Sequence, residues 1–250
     1  MRGDILKKKL MVLCAVAIII STCLSGCKMN SGKIRFGSAG IGGTYQIFGD
    51  TFANLISSKS KKYNIEVKTT AGSAANLRLL SKDYIQMAVA QMDLINDAYN
   101  RTGIFENDKK YQGYRAVASL YTEACQIVVP ADSDIQSMDD LEGKKVCIGE
   151  EESGTEQNAL QILNAYGLNE RLVDTVNLNY TDAAKKLKSG DIDAFFCTAG
   201  VQTTVINELS KQCKIRLVSL DQKGVSRLKK SYKFYTEYTC LLYTSDAADD

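Results

Sequence analysis

The chain has 250 residues, with 31 Lys and Arg side chains, 29 Asp and Glu side chains and no histidine. The absence of histidine excludes His-based catalytic triads and most zinc sites. Residues 1–26 contain four of the basic side chains and one of the acidic ones, so residues 27–250 carry 27 basic against 28 acidic groups, a net charge of −1. This balance gives no indication of nucleic-acid binding.

The N-terminus has the pattern of a bacterial secretion signal. A run of three lysines, residues 7–9, precedes an apolar stretch, residues 10–20. This stretch is shorter than the roughly 20 apolar residues that a membrane-spanning helix needs. Leu24-Ser25-Gly26-Cys27 then resembles the lipobox of bacterial lipoproteins. We predict a signal peptide over residues 1–26, a lipidated Cys27 with a tether over residues 27–32, and a location outside the cytoplasm, at the outer face of the cell membrane or in the periplasm. An ordinary signal anchor is the alternative.

A glycine-rich turn follows the first predicted strand. The strand, residues 34–36, enters the turn 37–44, and a helix with one apolar face leaves it. Backbone N–H groups at such a helix N-terminus favour a carboxylate or another anion. The turn fits neither nucleotide-binding glycine motif: Gly43 stands where the NTPase phosphate loop needs a lysine, and Tyr45 stands where the dinucleotide motif G-x-G-x-x-G needs its last glycine. We predict that Gly43, Thr44 (as helix cap) and Tyr45 form half of a ligand site; a tight turn without a ligand is the alternative.

Two more strand-to-helix transitions follow in the first half. The predicted strand 63–69 and a small-residue turn lead into a helix with Ser73 as N-cap and Asn76 in its first turn. A short apolar strand then ends at Gln91, with Asp93 two residues later. In open α/β sheets ligands bind at the carboxyl ends of strands, so these side chains are candidate contacts. Capping without binding explains Ser73 equally well.

A long strand is predicted at the middle of the chain. Residues 114–121 have a strand pattern that continues without a turn signal into residues 124–129, and Pro130 ends it. A strand that crosses from one lobe into another has this appearance. Cys125, Cys147 and Cys197 lie in apolar strand-like runs, which predicts buried thiols. The sequence does not decide whether a disulfide forms among these cysteines, Cys213 and Cys240, or which pair it would join.

The second half repeats the pattern of strand, small-residue turn and helix. Predicted strands over 144–149, 173–179, 192–197 and 215–220 alternate with predicted helices that start at Gly154 or Thr155, at Asp182 and near Val201. Ser153 and Glu156 have the spacing of a capping box. The acidic run 150–152 is predicted to be a solvated turn. Two α/β halves that point helix N-termini toward each other define a cleft, as in hinged solute-binding proteins.

We predict the following organisation: lobe 1 over residues 33–123, lobe 2 over residues 124–220, the start of a return to lobe 1 over residues 221–239, and a non-native tail over residues 240–250.

Together these motifs resemble the TAXI family, the substrate receptors of tripartite ATP-independent periplasmic (TRAP) transporters. The resemblance covers residues 33–239 and includes, in order, Gly42-Gly43-Thr44-Tyr45, Thr70-Ala71-Gly72-Ser73 with Asn76-Leu77-Arg78, Gln91-Met92-Asp93, Leu120-Tyr121-Thr122-Glu123 and Ser153-Gly154-Thr155. The chain departs from the family at Thr122 and Ile47, where prolines are common. The resemblance implies an α/β, two-lobed fold of the type II periplasmic binding protein kind, with a hinge and an interlobe cleft. It also implies a ligand such as glutamate or another small carboxylate.

The sequence therefore predicts a lipid-anchored receptor that captures a small organic anion and delivers it to TRAP membrane subunits. The candidate ligand-binding residues are Gly43, Thr44, Tyr45, Ser73, Asn76, Arg78, Gln91, Asp93, Tyr121, Glu123, Ser153, Gly154, Thr155 and Gly200. We expect no catalytic residue, metal or cofactor. The alternatives are a substrate-binding lipoprotein of an ABC permease or of a membrane sensor, and an enzyme on the same fold, in which Glu123 or Cys197 would act without a histidine.

Overall fold

The computed structural model describes residues 33–109, 111–201 and 203–239. The predicted signal peptide, Cys27, its tether and the predicted tail over residues 240–250 lie outside the described residues. No helix in the described part is long and apolar enough to cross a membrane.

Strands and helices alternate along most of the described chain. In chain order they are β1 (Lys33–Gly37), α1 (Thr44–Lys59), β2 (Asn64–Lys68), α2 (Ser73–Ser81), β3 (Met87–Ala88), α3 (Met92–Asn100), β4 (Ala124–Pro130), β5 (Lys145–Cys147), α4 (Gly154–Ala165), β6 (Asp174–Val176), α5 (Tyr180–Ser189), β7 (Ala194–Ala199), α6 (Thr204–Ser210), β8 (Ile215–Leu217) and α7 (Gln222–Ser231), with short 3₁₀ turns at Gly103–Phe105 and Asp139–Leu141.

The strands form two separate sheets. The first has the order β2-β1-β3, with β1 and β3 parallel, and the second has the order β6-β5-β7-β4-β8. In the second sheet β5 runs parallel to β6 and β7, whereas β4 runs antiparallel to β7 and β8. We call the part around the first sheet, residues 33–109, lobe 1, and the part around the second sheet, β4 to α7, lobe 2.

Each lobe has its own apolar core. In lobe 1, Leu77 and Leu94 pack with Phe105, which is fully buried. In lobe 2, both faces of the second sheet are covered by an apolar core cluster. Successive residues of β7 point to opposite faces, so that Phe196 belongs to one cluster and Phe195 to the other. The strand β7 is buried along its whole length, as a central strand between two helical layers must be.

The predicted crossing strand over residues 114–121 is wrong. The described residues between β3 and β4 contain no strand, and β4 begins only at Ala124. Val117 is 85% exposed, and no neighbouring strand pairs with this stretch in the described part. The residues have strand-like composition, but a strand also needs a hydrogen-bonding neighbour.

Two predicted helix caps are corrected and one is confirmed. Thr44 and Ser73 are the first residues of α1 and α2, and the cap positions are the glycines before them, which have no side chain to donate or accept. Gly72 has φ of 129°, a conformation that side chains with a Cβ rarely adopt. Ser153 does cap α4, since its Oγ accepts a hydrogen bond from the Glu156 backbone N–H at 3.0 Å.

The helix α7 packs on lobe 2. Its residue Leu228 is buried in the core cluster that also contains Ile162 of α4. The predicted return of residues 221–239 to lobe 1 stays a prediction; within this segment the helix Gln222–Ser231 packs on lobe 2.

The four cysteines of the described chain are all free thiols. Cys147 and Cys197 are buried, as predicted, and Cys125 and Cys213 are partly buried.

Candidate functional site

A small cavity lies between the two lobes where four helices begin. It encloses about 40 Å³, room for roughly three water molecules. Its lining consists of Ala39, Gly40, Gly43, Thr44, Tyr45, Ala71, Gly72, Ser73, Gln91, Glu123, Glu150, Ser153, Gly154, Thr155, Leu178, Asn179, Tyr180 and Thr198. The strand-to-helix turns of both sheets therefore converge on one point.

Helix N-termini provide the positive potential of this cavity. The first residues of α1 and α2 come from lobe 1, and those of α4 and α5 come from lobe 2. The first backbone N–H groups of a helix have no partner within the helix, and the helix dipole adds partial positive charge there. A carboxylate or a similar anionic group is the natural partner for such donors.

The charged side chains of the lining are both acidic. They are Glu123, which precedes β4, and Glu150, which follows β5. Burial without a neighbouring cation raises the pKa of Glu123 to about 7. Burial also raises the pKa of Glu150, and the negative charge of Asp182 adds to that increase. The described lining contains no lysine or arginine.

Tyr45 connects the glycine-rich turn to the acidic side. Its hydroxyl donates a hydrogen bond to Glu123 Oε2 at 2.9 Å, and its ring packs edge-on against Tyr121. Burial, together with the nearby Glu123 charge, raises the pKa of Tyr45 well above its ordinary value. The phenol is therefore a fixed donor that orients the carboxyl group of Glu123.

Direct hydrogen bonds across the cleft show that the two lobes are closed on each other. The Ala75 N–H donates to the Glu152 carbonyl at 3.2 Å, and Gln91 Nε2 donates to Asn158 Oδ1 at 2.9 Å. Thr181 Oγ1 also donates to the carbonyl of Ile41, at 3.2 Å.

Glycines permit this close approach. A Cβ added to Gly154 of lobe 2 would overlap Gln91 of lobe 1, and a Cβ added to Gly40 of lobe 1 would overlap the carboxylate of Glu150. A Cβ added to Gly43 would stand 3.3 Å from the Tyr180 ring. The closed arrangement thus depends on the absence of side chains at these positions.

Nine of the predicted ligand residues line the cavity. They are Gly43, Thr44, Tyr45, Ser73, Gln91, Glu123, Ser153, Gly154 and Thr155. The hydroxyl of Ser73 accepts a hydrogen bond from the Gln91 N–H at 3.1 Å, so it joins two turns of lobe 1. Direct contact of these residues with a ligand remains a prediction.

The other five predicted residues lie outside the lining. Asn76 is buried behind it, where its amide donates to the carbonyls of Ser38 and Val89 at 2.7 and 2.9 Å. Asp93 contacts Asn158, with 3.5 Å between the Asp93 Oδ2 and the Asn158 Nδ2.

Tyr121 packs edge-on against the Tyr45 ring, with 6.4 Å between the two ring centroids. Gly200 donates its backbone N–H to Thr44 Oγ1 at 3.4 Å, across the cleft.

Arg78 is an interlobe contact in this structure. Its guanidinium pairs with Asp108 of lobe 1 and lies over the Phe105 ring, 4.9 Å from the centroid. Its Nε is 2.9 Å from Glu152 Oε1 of lobe 2. This second contact is ionic rather than a hydrogen bond, because the Nε–H has no acceptor in line with it.

Several lining residues were missed in the sequence. The acidic run 150–152 was predicted to be solvated, which is wrong for Glu150, which lines the cavity, and for Glu152, which pairs with Arg78. Tyr180 and Thr198 were missed as well; the Tyr180 hydroxyl donates to the Thr198 carbonyl at 2.9 Å. The sequence does contain a signal for both residues, because Tyr180 is at the start of a predicted helix and Thr198 follows a predicted strand, and ligands bind at the carboxyl ends of strands.

The chain belongs to the NMT1-like family, whose model matches residues 36–246. Among solved structures, the alkanesulfonate-binding protein SsuA from Xanthomonas axonopodis pv. citri bound to MOPS is similar in fold, with a TM-score of 0.51, 18% identity, and coverage of 75% of this chain and 60% of that one. A binding protein component of an ABC phosphonate transporter from Pseudomonas aeruginosa has a TM-score of 0.53, 12% identity and coverage of 80% and 73%. An ancestral arginine-binding protein bound to glutamine has a TM-score of 0.50, 19% identity and coverage of 81% and 93%.

These similarities confirm the predicted fold class, an α/β fold with the two-lobed architecture of type II periplasmic binding proteins. The chain spans only 60% of the length of the alkanesulfonate-binding protein. At such identities the similarity is one of fold.

Proposed function

We propose that this protein is an extracytoplasmic solute-binding protein that captures a small organic solute in the interlobe cavity and delivers it to a membrane permease. The observation that carries the proposal is the convergence of four helix N-termini, two from each lobe, on one cavity. A solute there contacts both lobes at once, and its carboxylate or other anionic group accepts hydrogen bonds from backbone N–H groups.

Lobe closure is the second part of the proposal. The cross-cleft hydrogen bonds hold the lobes together around a cavity of about 40 Å³. A solute of the size of glutamate therefore enters an opened cleft and adds its own contacts to those that close it. A bound solute shifts the population toward the closed form only by its differential affinity for the two forms.

An ABC-type permease is the partner that we favour. Two of the proteins of similar fold described above are a phosphonate-transporter component and an arginine-binding protein, and the first is named as an ABC component. The motifs that resemble TAXI receptors keep a TRAP permease as the second candidate. A neighbouring gene for an ATPase subunit favours the first partner, and one for a multi-span TRAP permease favours the second.

Binding rather than catalysis is the activity that we propose. The candidate nucleophile Cys197 is fully buried, and burial raises the pKa of its thiol far above neutral, so the reactive thiolate is absent. Glu123 is hydrogen-bonded to Tyr45 and has no histidine to act with.

Lipid anchoring through Cys27 also belongs to the proposal. In bacteria that express the whole chain, a labelled fatty acid is expected to be incorporated into the wild-type protein and not into Cys27→Ser. Equal labelling of both proteins contradicts the anchor.

A Thr198→Val variant tests the proposed site. Thr198 is 8% exposed and lines the cavity, and its Oγ1 has no hydrogen-bond partner in the described chain. Valine has nearly the same shape, so the variant removes the hydroxyl from the lining, where it lies beside the weakly hydrogen-bonding thiol of Cys125. We expect solute affinity to fall about two- to tenfold, the value of one hydrogen bond, while the melting temperature without solute stays the same or rises.

The control for this experiment is Thr51→Val, the same change at an exposed position of α1. Binding is followed by thermal shift and calorimetry with amino acids, small carboxylates, sulfonates and phosphonates. A folded protein that binds none of these solutes contradicts the proposed function. Binding that Thr198→Val leaves unchanged contradicts the location of the site.

A further inference from the structure

We infer that the cavity selects solutes with a positively charged nitrogen, held between the carboxyl groups of Glu123 and Glu150. On this basis neutral or cationic amino acids bind more tightly than dicarboxylates. The inference rests on the proposed function and narrows its ligand class.

The first observation is the imbalance of side-chain charge. Glu123 just before β4 and Glu150 in the turn after β5 line the same cavity, and neither forms an ion pair with a residue of the described chain. Arg78, the arginine among the predicted ligand contacts, is paired with Asp108 and Glu152. A second anionic group on the solute, like the side-chain carboxylate of glutamate, finds no cation here.

The second observation is the number of hydrogen-bond acceptors without a donor. Gln91 lines the cavity and uses its Nε2 to bind Asn158, while its buried Oε1 lies against Gly154 and has no hydrogen-bond partner in the described chain. Thr198 Oγ1 is also unpartnered, and this residue is more than nine-tenths buried. Glu123 accepts a hydrogen bond from Tyr45 on Oε2 at 2.9 Å, and the side chains of Gln91 and Tyr121 also interact with its carboxyl group. A carboxylate has about four acceptor sites, so Glu123 keeps room for a further donor.

An ammonium group supplies what these acceptors lack. It carries three N–H donors and one positive charge, and it has no acceptor of its own. The donors of the cavity, by contrast, are backbone N–H groups at the starts of α1, α2, α4 and α5. A zwitterionic amino acid satisfies both sets, with its carboxylate at the helix N-termini and its ammonium at the acidic side chains.

A protonated Glu123 that donates a hydrogen bond to an anionic solute is the alternative to an ionised Glu123 that binds an ammonium group. The pKa of Glu123 is raised to about 7 by burial, so near neutral pH part of the population carries a proton that can be donated to an anionic solute. In that case solutes without an amino group bind as well as amino acids, and their binding weakens as the pH rises above 7.

Isosteric pairs of solutes test the inference at pH 8, where Glu123 is mostly ionised. The pairs are L-alanine with L-lactate, L-glutamate with L-2-hydroxyglutarate, and L-glutamine with L-glutamate. Dissociation constants are measured by calorimetry on the full chain. The expected result is that the ammonium-bearing member binds at least tenfold more tightly than its hydroxy acid, and that glutamine binds more tightly than glutamate.

Variants assign the effect to the two carboxyl groups. Glu123→Gln and Glu150→Gln keep the side-chain shape and remove the charge, and each is expected to weaken binding of the ammonium-bearing solute at least tenfold. The hydroxy acid is expected to be unaffected or to bind more tightly. Glu151→Gln is the matched control, because Glu151 is exposed in the same turn and lies outside the lining.

The outcomes are distinct. A loss of the ammonium preference in either variant, with Glu151→Gln unchanged, supports the inference. Hydroxy acids or dicarboxylates that bind as tightly as the amino acids, or equal affinities in all three variants, overturn it and leave the solute-binding function intact. A folded chain that binds no member of any pair, and no other solute, contradicts the proposed function as well.

Discussion

The substitution Gly154→Ala separates folding from lobe closure. Gly154 is the first residue of α4, and a Cβ at this position would lie closer than 3.0 Å to the Oε1 and Cδ atoms of Gln91 and 3.0 Å from Ser73 Oγ. To avoid the overlap in the closed form, Gln91 has to turn away. It then loses the hydrogen bond from its Nε2 to Asn158 Oδ1, at 2.9 Å, which crosses the cleft.

The magnitude follows from these contacts. Loss of one hydrogen bond costs about 1 kcal/mol, and an unfavourable rotamer adds about 0.5–1.5 kcal/mol. We therefore expect closure to be disfavoured by about 2 kcal/mol and solute affinity to fall on the order of 30-fold. Alanine is a better helix former than glycine by up to about 1 kcal/mol, which offsets part of this cost, so we expect the free energy of unfolding without solute to fall by no more than about 1 kcal/mol.

The assay is calorimetric titration of the solute together with urea unfolding of the solute-free protein. Gly113→Ala is the control, because a Cβ at Gly113 meets nothing within 4 Å. Gly154→Ala combined with Gln91→Ala removes the overlap, and this double variant is expected to bind better than Gly154→Ala alone. Wild-type affinity in Gly154→Ala refutes the reasoning, because the described closed form has no room for that Cβ.

Three further predictions concern charge and packing. Burial raises the pKa of Glu123 to about 7 in the folded chain, against an ordinary value of 4.5. Between these two pH values the folded state holds a proton that the unfolded state lacks. The free energy of unfolding is therefore expected to fall as the pH rises, by on the order of 3 kcal/mol in total. Urea unfolding from pH 5 to 8 is expected to show a smaller fall for Glu123→Gln, whereas an identical slope contradicts the assignment. A double-mutant cycle of Arg78→Gln and Glu152→Gln is expected to give a coupling of no more than about 1 kcal/mol in the free energy of unfolding. The reason is that the Glu152 side chain is 45% exposed, so that solvent screens its interaction with Arg78. A coupling above about 3 kcal/mol contradicts this interpretation. Phe196→Ala is expected to cost about 3–5 kcal/mol, measured by urea unfolding, because the side chain is fully buried in lobe 2; a loss below 1 kcal/mol contradicts the core assignment.

The features that the sequence predicted well are local ones. The strand-to-helix turns before Thr44, Ser73 and Gly154 were found because glycine and serine mark such turns within a few residues. The cap at Ser153 was predicted from the spacing to Glu156, and the structure has that hydrogen bond. Because three of these turns meet at the cavity, the backbone part of the candidate site was also predicted.

The features that the sequence could not supply depend on contacts between distant residues. Residues 114–121 have the composition of a strand, but whether they form one depends on a neighbour that composition does not reveal. Glu150 is in a polar turn, and only closure of the lobes places its carboxylate beside Gly40. Arg78 is one of the predicted ligand contacts, and only the folded chain shows that two carboxylates, of Asp108 and Glu152, already pair with it.

Hydrogen–deuterium exchange with and without a bound solute tests the central claim most directly, namely that one solute contacts both lobes at the interlobe cavity. The solute is whichever compound gives the largest thermal shift. We expect slower exchange in peptides that cover residues 40–45 and 72–76 of lobe 1 and also in peptides that cover residues 150–156 and 178–181 of lobe 2. Protection confined to one lobe, or to peptides outside these four segments, contradicts the claim.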